Sequence, residues 1–175
     1  MPMEMNYCMD CGTKLVLRHH DTEGEVPYCE NCRDFRYPVF NTAVSMIVMN
    51  DARDRIILIQ QYGKPSYVLV AGYVNRTEPL ELAVVRELKE ETGMTAVRIR
   101  FNRTRFFEPS NTLMCNFTAF VKDDSELSPN YEIDSWAWFS FDEARKNVNP
   151  EILAGRFLNA CLDDLENPTG NAEPC

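Results

Sequence analysis

The sequence lacks the features that direct a chain into or across a membrane. Its first ten residues, MPMEMNYCMD, contain neither the basic segment nor the apolar segment that a signal peptide needs. No apolar run approaches the roughly 20 residues of a membrane-spanning helix. We therefore expect a cytoplasmic protein that has no membrane partner.

Positive charge is also scarce. The chain has 18 Lys and Arg against 27 Asp and Glu, and its net charge is −9. A chain with an excess of acidic residues is expected to bind the phosphate backbone of nucleic acid weakly. An anionic ligand would need metal ions or nearby arginines to reverse the local field. The 45% apolar content of 175 residues is enough for one main domain with a core and a small appendage.

Seven cysteines in a chain without an export signal indicate metal ligands or free thiols rather than disulfides. Four of them form two Cys-x2-Cys pairs separated by seventeen residues: Cys8, Cys11, Cys29 and Cys32. This spacing is typical of a zinc ribbon, in which four thiolates close a tetrahedral Zn²⁺ site. A closed site of this kind is structural. We expect residues 1–38 to be a ribbon that folds around its metal.

An acidic segment follows in the middle of the chain, where residues 72–94 read GYVNRTEPLELAVVRELKEETGM. Glu87, Glu90 and Glu91 are spaced so that all three carboxylates leave the same side of a helix. Like charges at this spacing repel each other, and a bound Mg²⁺ or Mn²⁺ would reverse that cost. The alternative is an acidic helix face that is simply solvated.

The residues around these glutamates predict where the helix begins and ends. Pro79 suits a first helical turn, and Gly93 suits a left-handed residue at the C-terminus. Leu82, Val85 and Leu88 recur every three residues and predict an apolar stripe. Arg86 and Glu78 have opposite charges and are expected to pair at the helix entrance, which is a structural role.

The remaining chain alternates strand-like and helix-like segments, which predicts an α/β main domain over residues 39–166 and a flexible tail over 167–175. Strands are expected at 42–49 and 55–61 as a hairpin, at 67–74 with a break at Ala71-Gly72, at 96–105, at 113–122 and, short and buried, at 135–139. Residues 106–111 are expected to form a loop, 141–146 a helical turn and 150–165 a packed helix.

The pattern G-x5-E-x7-R-E-U-x-E-E-x-G-U, where U is apolar, runs from Gly72 to Met94 and resembles the Nudix hydrolase box at every fixed position. The resemblance implies an α/β/α sandwich with a mixed sheet. It also implies that water cleaves the diphosphate of a nucleoside diphosphate linked to a group X, with Mg²⁺ or Mn²⁺ as cofactor. The motif positions with catalytic roles in that family correspond to Glu91, Glu87, Glu90 and Arg86.

A zinc ribbon directly before such a box is similar to the NADH pyrophosphatase branch of the family. That resemblance implies that Tyr37 stacks on nicotinamide across a homodimer interface and that Tyr73 forms the other wall. It further implies metal binding by the carbonyl of Ala71 and by Glu132, and substrate contact by Ala154. The alternative for both tyrosines is ordinary core packing.

The chain departs from that branch in one segment. The branch carries S-Q-P-W-P-F-P-x-S ahead of a strand, whereas residues 104–112 read TRFFEPSNT. The positions that keep the same kind of residue, including the Leu-Met pair that follows, are Phe107, Thr112 and Met114. Glu108 would repel a diphosphate, and Arg105 could offset that repulsion with a charge-assisted hydrogen bond.

These observations favour a metal-dependent NADH or NAD⁺ diphosphatase that releases nicotinamide mononucleotide and AMP. An ADP-ribose, nucleotide-sugar or other nucleotide diphosphatase is the alternative within enzymes. An NAD-capped RNA end is a chemically equivalent substrate, although the acidic charge predicts weak RNA affinity. The third hypothesis is a non-catalytic regulator that senses a nucleotide and uses its ribbon to bind nucleic acid or protein.

Overall fold

The computed structural model describes residues 5–167, so that all but the first residue of the predicted tail lies outside the described part. A small three-stranded antiparallel sheet comes first, in the order β1-β2-β3. Its strands are β1 (Val16–His20), β2 (Gly24–Cys29) and β3 (Asp34–Phe35). The four ribbon cysteines flank or end these strands.

A six-stranded sheet forms the centre of the molecule. Its strands are β4 (Asn41–Asn50), β5 (Arg55–Gln61), β6 (Val70–Tyr73), β7 (Ala96–Phe107), β8 (Thr112–Val121) and β9 (Ile133–Ser140). The order is β7-β8-β4-β5-β9, and β6 pairs with β4. The pairing of β4 with β8 is parallel and the others are antiparallel, so the sheet is mixed as predicted.

Helices cover both faces of this sheet, which confirms the predicted α/β/α sandwich. They are α1 (Leu80–Thr92), α2 (Phe141–Asn147) and α3 (Leu153–Glu166). Side chains alternate between the faces along β4: Val44, Met46 and Val48 pack in the core with α1, whereas Ile47 and Met49 pack in the core with α2 and α3. Within the described residues, no helix combines the length and apolar character needed to cross a bilayer.

Strands β5 and β6 share one edge of β4. The predicted hairpin is present, but only Val48 and Met49 of β4 pair with β5, and β6 pairs with the earlier half of β4. The predicted break at Ala71-Gly72 is wrong, because both residues pair with β4 inside β6. Beyond its two paired residues, β5 leaves β4 and Ile59 bridges to Val68 instead.

The predicted apolar stripe of α1 is also wrong. Leu82 is 59% exposed and Val85 is 38% exposed, whereas Ala83, Val84 and Leu88 are buried. The buried side of the helix therefore follows a different row of residues, which also includes a glutamate. Gly93 does end the helix in the left-handed conformation, with φ of 74° and its N–H bonded to the carbonyl of Lys89.

Two further boundaries differ from the sequence predictions. Most of the predicted loop over 106–111 has regular secondary structure. β7 continues to Phe107, and a 3₁₀ turn over Glu108–Ser110 joins it to β8. The predicted buried strand over 135–139 is longer, and Trp136 is 41% exposed. The predicted turn at α2 is a two-turn helix that begins with a capping box.

Candidate active site

The side chain of Glu87 lies directly against the backbone of Gly72, where α1 contacts β6. A Cβ atom added to Gly72 would be 1.9 Å from the carboxyl carbon of Glu87. Real side chains do not approach so closely, so any larger residue at this position would displace the carboxylate. The glycine of the motif is explained by this close approach.

The guanidinium group of Arg86 joins the loop before α1 to the glutamates on the helix. Its Nε and Nη2 donate to the two oxygens of Glu78 at 2.7 and 2.8 Å. Nη1 donates to Glu87 at 2.7 Å and to Glu90 at 3.0 Å, and Nη2 also donates to the carbonyl of Tyr73 at 3.0 Å. The expected pair of Arg86 with Glu78 is present and fixes the helix entrance.

Glu91 is the buried glutamate of α1, with 3% of its surface exposed. Gln61 Nε2 donates to one of its oxygens at 3.0 Å, and the backbone of Ala71 supplies a second hydrogen bond. Burial, together with the smaller effect of the negative charges of Glu87 and Glu132, raises the pKa of Glu91 to about 8. Two of the predicted metal ligands therefore face Glu91 beside the backbone of Ala71.

Glu132 comes from the segment before β9, and it is held by a residue that the sequence analysis missed. The hydroxyl of Tyr62 donates to Glu132 at 2.9 Å. The next residue, Gly63, donates its N–H to Asp134 at 2.6 Å. Gln61 was also missed, and the signal that could have found both was a polar pair at the end of the buried apolar strand β5.

The acidic side chains have the chemistry of a site for Mg²⁺ or Mn²⁺, since carboxylate oxygens are the ligands that such cations prefer. Negative charge accumulates around Glu91, and a cation would offset it. The oxygens of Glu87, Glu91 and Glu132 are nevertheless spread around the site. Among the described residues, only the ribbon cysteines bring three or more possible ligand atoms within 4.8 Å of one another.

Several predicted substrate residues share one face of the sheet. The pairing register aligns Arg105 of β7 with Met114 of β8, Met114 with Ala43 of β4, and Ala43 with Tyr73 of β6. Residues aligned across neighbouring strands point to the same face. Met114 packs in the core with α3, the helix that carries Ala154, so this is the face covered by α2 and α3.

A cleft of about 900 Å³ opens at the end of this face. Its lining includes three of the predicted substrate residues, Arg105, Phe107 and Ala154. Three further charged residues, Glu108, Glu151 and Arg156, line it as well. The cleft therefore combines an aromatic ring and apolar surface with both signs of charge.

The structure does not bring the other predicted substrate residues into this cleft. Thr112 is 1% exposed, and its hydroxyl is bonded to Ser110, so it stabilises the turn before β8. Met114 is partly buried against the core. Tyr73 is 59% exposed and lines a second cleft of about 570 Å³. Tyr37 is 53% exposed and lines neither of these two clefts, so core packing does not explain either tyrosine.

The four ribbon cysteines converge on one point. Their sulfur atoms all lie within 4.8 Å of one another, with Cys8 and Cys32 3.9 Å apart and Cys11 and Cys29 3.5 Å apart. A tetrahedral zinc with Zn–S bonds of about 2.3 Å would hold sulfurs about 3.8 Å apart. Arg36 is nearly buried and donates from Nε to Cys8 Sγ at 3.3 Å, which offsets thiolate charge. The cluster fits a structural zinc.

Comparison with known proteins agrees with this geometry. The family model of the NUDIX domain matches residues 39–157, which is more than half of the chain. The chain belongs to the Nudix family. The match begins just before β4 and includes every acidic residue around Glu91, and α1 is therefore the Nudix helix of this chain.

Curated relatives resemble the chain from the ribbon onward. The NAD-capped RNA hydrolase NudC of Vibrio atlanticus (strain LGP32) is 29% identical over 171 residues, which cover 94% of this chain and 60% of the relative. NudC of Mycobacterium tuberculosis (strain ATCC 25177 / H37Ra) is 35% identical over 135 residues, or 75% of this chain and 42% of the relative. The chain thus spans three-fifths or less of the length of these two relatives.

Solved structures share the Nudix fold. A crystal structure of a Nudix hydrolase from Nitrosomonas europaea has a TM-score of 0.62 at 19% identity and covers 93% of this chain and 91% of its own. The Nudix domain of Shewanella oneidensis NrtR, complexed with ADP ribose, has a TM-score of 0.60 at 14% identity, covering 79% and 94%. At these identities the likeness shows the fold alone.

Proposed function

We propose that this protein is a metal-dependent Nudix pyrophosphohydrolase that cleaves a nucleoside diphosphate linked to a second group. The observation that carries the proposal is the position of Glu91, which is buried beside the Ala71 backbone and faces Glu87 and Glu132. A solvated acidic face would leave this side chain in water. Instead the fold maintains a concentration of negative charge that a divalent cation would stabilise.

The chemistry assigned to the site follows from these groups. Bound Mg²⁺ or Mn²⁺ would neutralise charge on the diphosphate and lower the pKa of a water molecule. Glu91 is the residue best situated to orient that water or accept its proton, because its pKa is raised towards neutrality. Glu87, with one oxygen bonded to Arg86, and Glu90 and Glu132 provide the further ligands.

The substrate that we propose is NADH, NAD⁺ or an RNA end capped with NAD, cleaved to release nicotinamide mononucleotide. Support comes from the NudC relatives, of which the one from Vibrio atlanticus matches 94% of this chain and therefore residues of both the ribbon and the Nudix domain. Strand pairing places the exposed Tyr73 on the same face of the sheet as Met114 and Arg105. This position is consistent with Tyr73 forming an aromatic wall for the nicotinamide ring.

A second candidate is hydrolysis of ADP-ribose or of a related nucleotide diphosphate. The observation that favours it is the cleft beside Ala154, where Arg105 and Glu108 occupy the segment in which this chain departs from the NADH pyrophosphatase branch. A carboxylate at that place accepts hydrogen bonds from sugar hydroxyls and disfavours phosphate. The change in this segment can therefore alter which group X is accepted.

A substrate panel tests the proposal. Purified protein is incubated with Mg²⁺ or Mn²⁺ and with NADH, NAD⁺, ADP-ribose, dinucleoside polyphosphates and a short NAD-capped RNA, and kcat/KM is compared. We expect the highest values for NADH or the capped RNA. A preference for ADP-ribose would support the second candidate, and binding of nucleotides without any hydrolysis would support the non-catalytic regulator instead.

The variant Glu91→Gln tests the assignment of the catalytic residue. We expect kcat to fall by about 10²–10⁴-fold, the range that a positioned acid–base group contributes. The melting temperature should change little, because glutamine has the same shape and is uncharged, as the Glu91 carboxyl largely is at pH 7 when its pKa is about 8. Activity within a few-fold of the wild type would contradict the assignment, and circular dichroism checks that the variant is folded.

A further inference from the structure

Two neighbouring residues at the end of β5 contact the two acidic residues that approach the site from different parts of the chain. Gln61 donates from Nε2 to Glu91 on α1 at 3.0 Å. Tyr62 donates from its hydroxyl to Glu132, in the segment before β9, at 2.9 Å. A dipeptide that follows a core strand thus connects two carboxylates 41 positions apart in the sequence.

The backbone at this dipeptide is held in an uncommon conformation. Tyr62 has φ of 57°, which lies in the left-handed region that bulky residues rarely adopt. Gly63 follows with φ of 67°, and its N–H is bonded to Asp134 at 2.6 Å. A left-handed tyrosine costs free energy, and such conformations persist where the surrounding contacts hold them, often at functional sites. Here the conformation accompanies a phenol that contacts Glu132.

These contacts differ in how much solvent surrounds them. Glu91 is almost fully buried, and Gln61 is partly buried beside it. Tyr62 is 66% exposed, so packing of its ring in the core cannot account for its presence. Each donor engages one oxygen of its carboxylate.

We propose that Gln61 and Tyr62 are positioning residues that orient Glu91 and Glu132 for binding of the divalent cation. The inference rests on the proposed function, since it assigns these two carboxylates to the metal. Carboxylate ligands are commonly fixed by hydrogen bonds from a second layer of residues, and loss of such a bond costs about 10–100-fold in metal affinity or activity. Neither residue contacts the reacting atoms in this assignment.

The test measures Mn²⁺ binding directly, by electron paramagnetic resonance of free Mn²⁺, together with the Mg²⁺ dependence of hydrolysis. The variants are Gln61→Leu and Tyr62→Phe, each of which removes one donor and keeps most of the side-chain volume. We expect each variant to bind Mn²⁺ about 10-fold or more weakly than the wild type. Hydrolysis should recover at high metal concentration, with an unchanged KM for the substrate at saturating metal.

Matched controls separate positioning from folding. Tyr131→Phe makes the same change at a 91% exposed tyrosine directly before Glu132, and Gln60→Leu removes a glutamine whose side chain contacts Pro65 and Ser135. Both should retain wild-type Mn²⁺ affinity. Variants at 61 and 62 that lose activity without recovery at high metal would show a structural role and overturn the inference.

The result for the wild type separates the two proposals. A wild-type protein that binds no Mn²⁺ and hydrolyses nothing contradicts the proposed function itself. A wild-type protein that binds Mn²⁺ and hydrolyses its substrate, alongside Gln61→Leu and Tyr62→Phe variants with unchanged metal affinity, contradicts only the positioning role. A loss of Mn²⁺ affinity that is confined to these two variants supports it.

Discussion

At the scale of single residues, Gly72 shows how a motif position acquires its identity. The carboxylate of Glu87 fills the space where a side chain would begin. We predict that Gly72→Ala folds normally, because the clashing group is the end of a flexible side chain, while Glu87 moves away from the site. Activity should fall by at least 10-fold, on the scale of a disturbed metal ligand. Enzyme assays and the melting temperature together check this.

Gly93→Ala is the matched control for that substitution. Its φ of 74° is left-handed, and an added Cβ would lie 2.8 Å from the backbone oxygen of Glu126. This variant should lose stability by about 1 kcal/mol or more, because alanine is strained there. Its activity should remain at temperatures where it is folded. Equal loss of activity in both variants, at equal stability, would argue against a specific role for Gly72.

Glu78 gives a prediction about pH. Arg86, followed by the N–H of Asn75, lowers the pKa of Glu78 from 4.5 to about 2. A carboxyl whose pKa is depressed on folding stabilises the fold above its unfolded pKa and loses that contribution as the pH falls through the folded pKa. In metal-free buffer, Glu78→Gln should therefore melt below the wild type at pH 7, and the difference should shrink between about pH 4.5 and 2.

Thermal unfolding at several pH values, on protein dialysed free of Mg²⁺ and Mn²⁺, measures this difference. Glu151→Gln serves as the control, because that carboxylate is exposed and its contact with Arg156 is long, at 3.7 Å. Its melting temperature should follow the wild type across the same range. A difference for Glu78→Gln that stays constant down to pH 2 would contradict the ionic origin of the stabilisation.

At the scale of elements, the ribbon depends on its four cysteines. Its sheet has three short strands, and its most buried residues include two of the thiols, Cys8 and Cys29. So small an apolar interior cannot fold a segment by itself, so a bound metal would contribute the missing free energy. We predict that the wild type contains one zinc per chain and that Cys8→Ser loses it, with a lower melting temperature.

Elemental analysis of the purified variants measures the zinc content. Cys115→Ala removes a buried cysteine of the central sheet, away from the cluster, and should keep one zinc per chain. A Cys8→Ser protein that retains zinc at full occupancy would contradict the assignment of a four-thiolate site.

Helix α1 shows a different relation between sequence and structure. Its type, its C-terminal glycine and the convergence of Glu87 and Glu91 were predicted from spacing. The buried side of the helix was not predicted correctly. The predicted stripe of Leu82, Val85 and Leu88 was chosen on the assumption that apolar residues are buried and carboxylates face solvent. In the structure Glu91 is buried and Leu82 is exposed. The helix is therefore rotated about its axis relative to the orientation that the predicted stripe implies. A buried glutamate thus replaces part of the predicted apolar row.

At the scale of the whole molecule, the assembly state is a prediction that depends on Tyr37. This side chain is 53% exposed in the single chain, as expected of a residue that would reach a neighbouring subunit. We predict a homodimer of twice 20.2 kDa by light scattering. Tyr37→Ala should raise KM for NADH by roughly 5-fold, the loss of one aromatic stacking contact of about 1 kcal/mol, and leave kcat largely unchanged.

The matched control is Tyr7→Ala, which removes another exposed tyrosine of the N-terminal region. It should retain the wild-type KM. A protein that stays at about one chain mass in the presence of substrate, while hydrolysing NADH normally, would contradict the role proposed for Tyr37.

Much of this molecule could be predicted from local patterns. The spacing of the cysteines reflects the two-residue turn that directs both thiolates to one metal. The spacing of the carboxylates reflects the helical repeat. Both sites could therefore be predicted from the sequence without knowledge of the fold. The strands β4 and β5 were found for the same reason, as apolar runs between turns. The boundaries of β6 and β7 were predicted less well, since pairing with β4 extends β6 through Gly72, and pairing with β8 extends β7 up to Phe107, directly before Glu108-Pro109.

The sequence by itself determined the chemistry available to this protein: four thiolates at zinc-ribbon spacing and a helix that carries Glu87, Glu90 and Glu91 on one side. Only the tertiary structure decided which partners those groups have. Glu132, Gln61 and Tyr62 lie far from the Nudix helix along the chain, and sheet pairing brings them to Glu91. Burial and neighbouring charge, which set the pKa of Glu91, arise from that packing and have no counterpart in residue spacing.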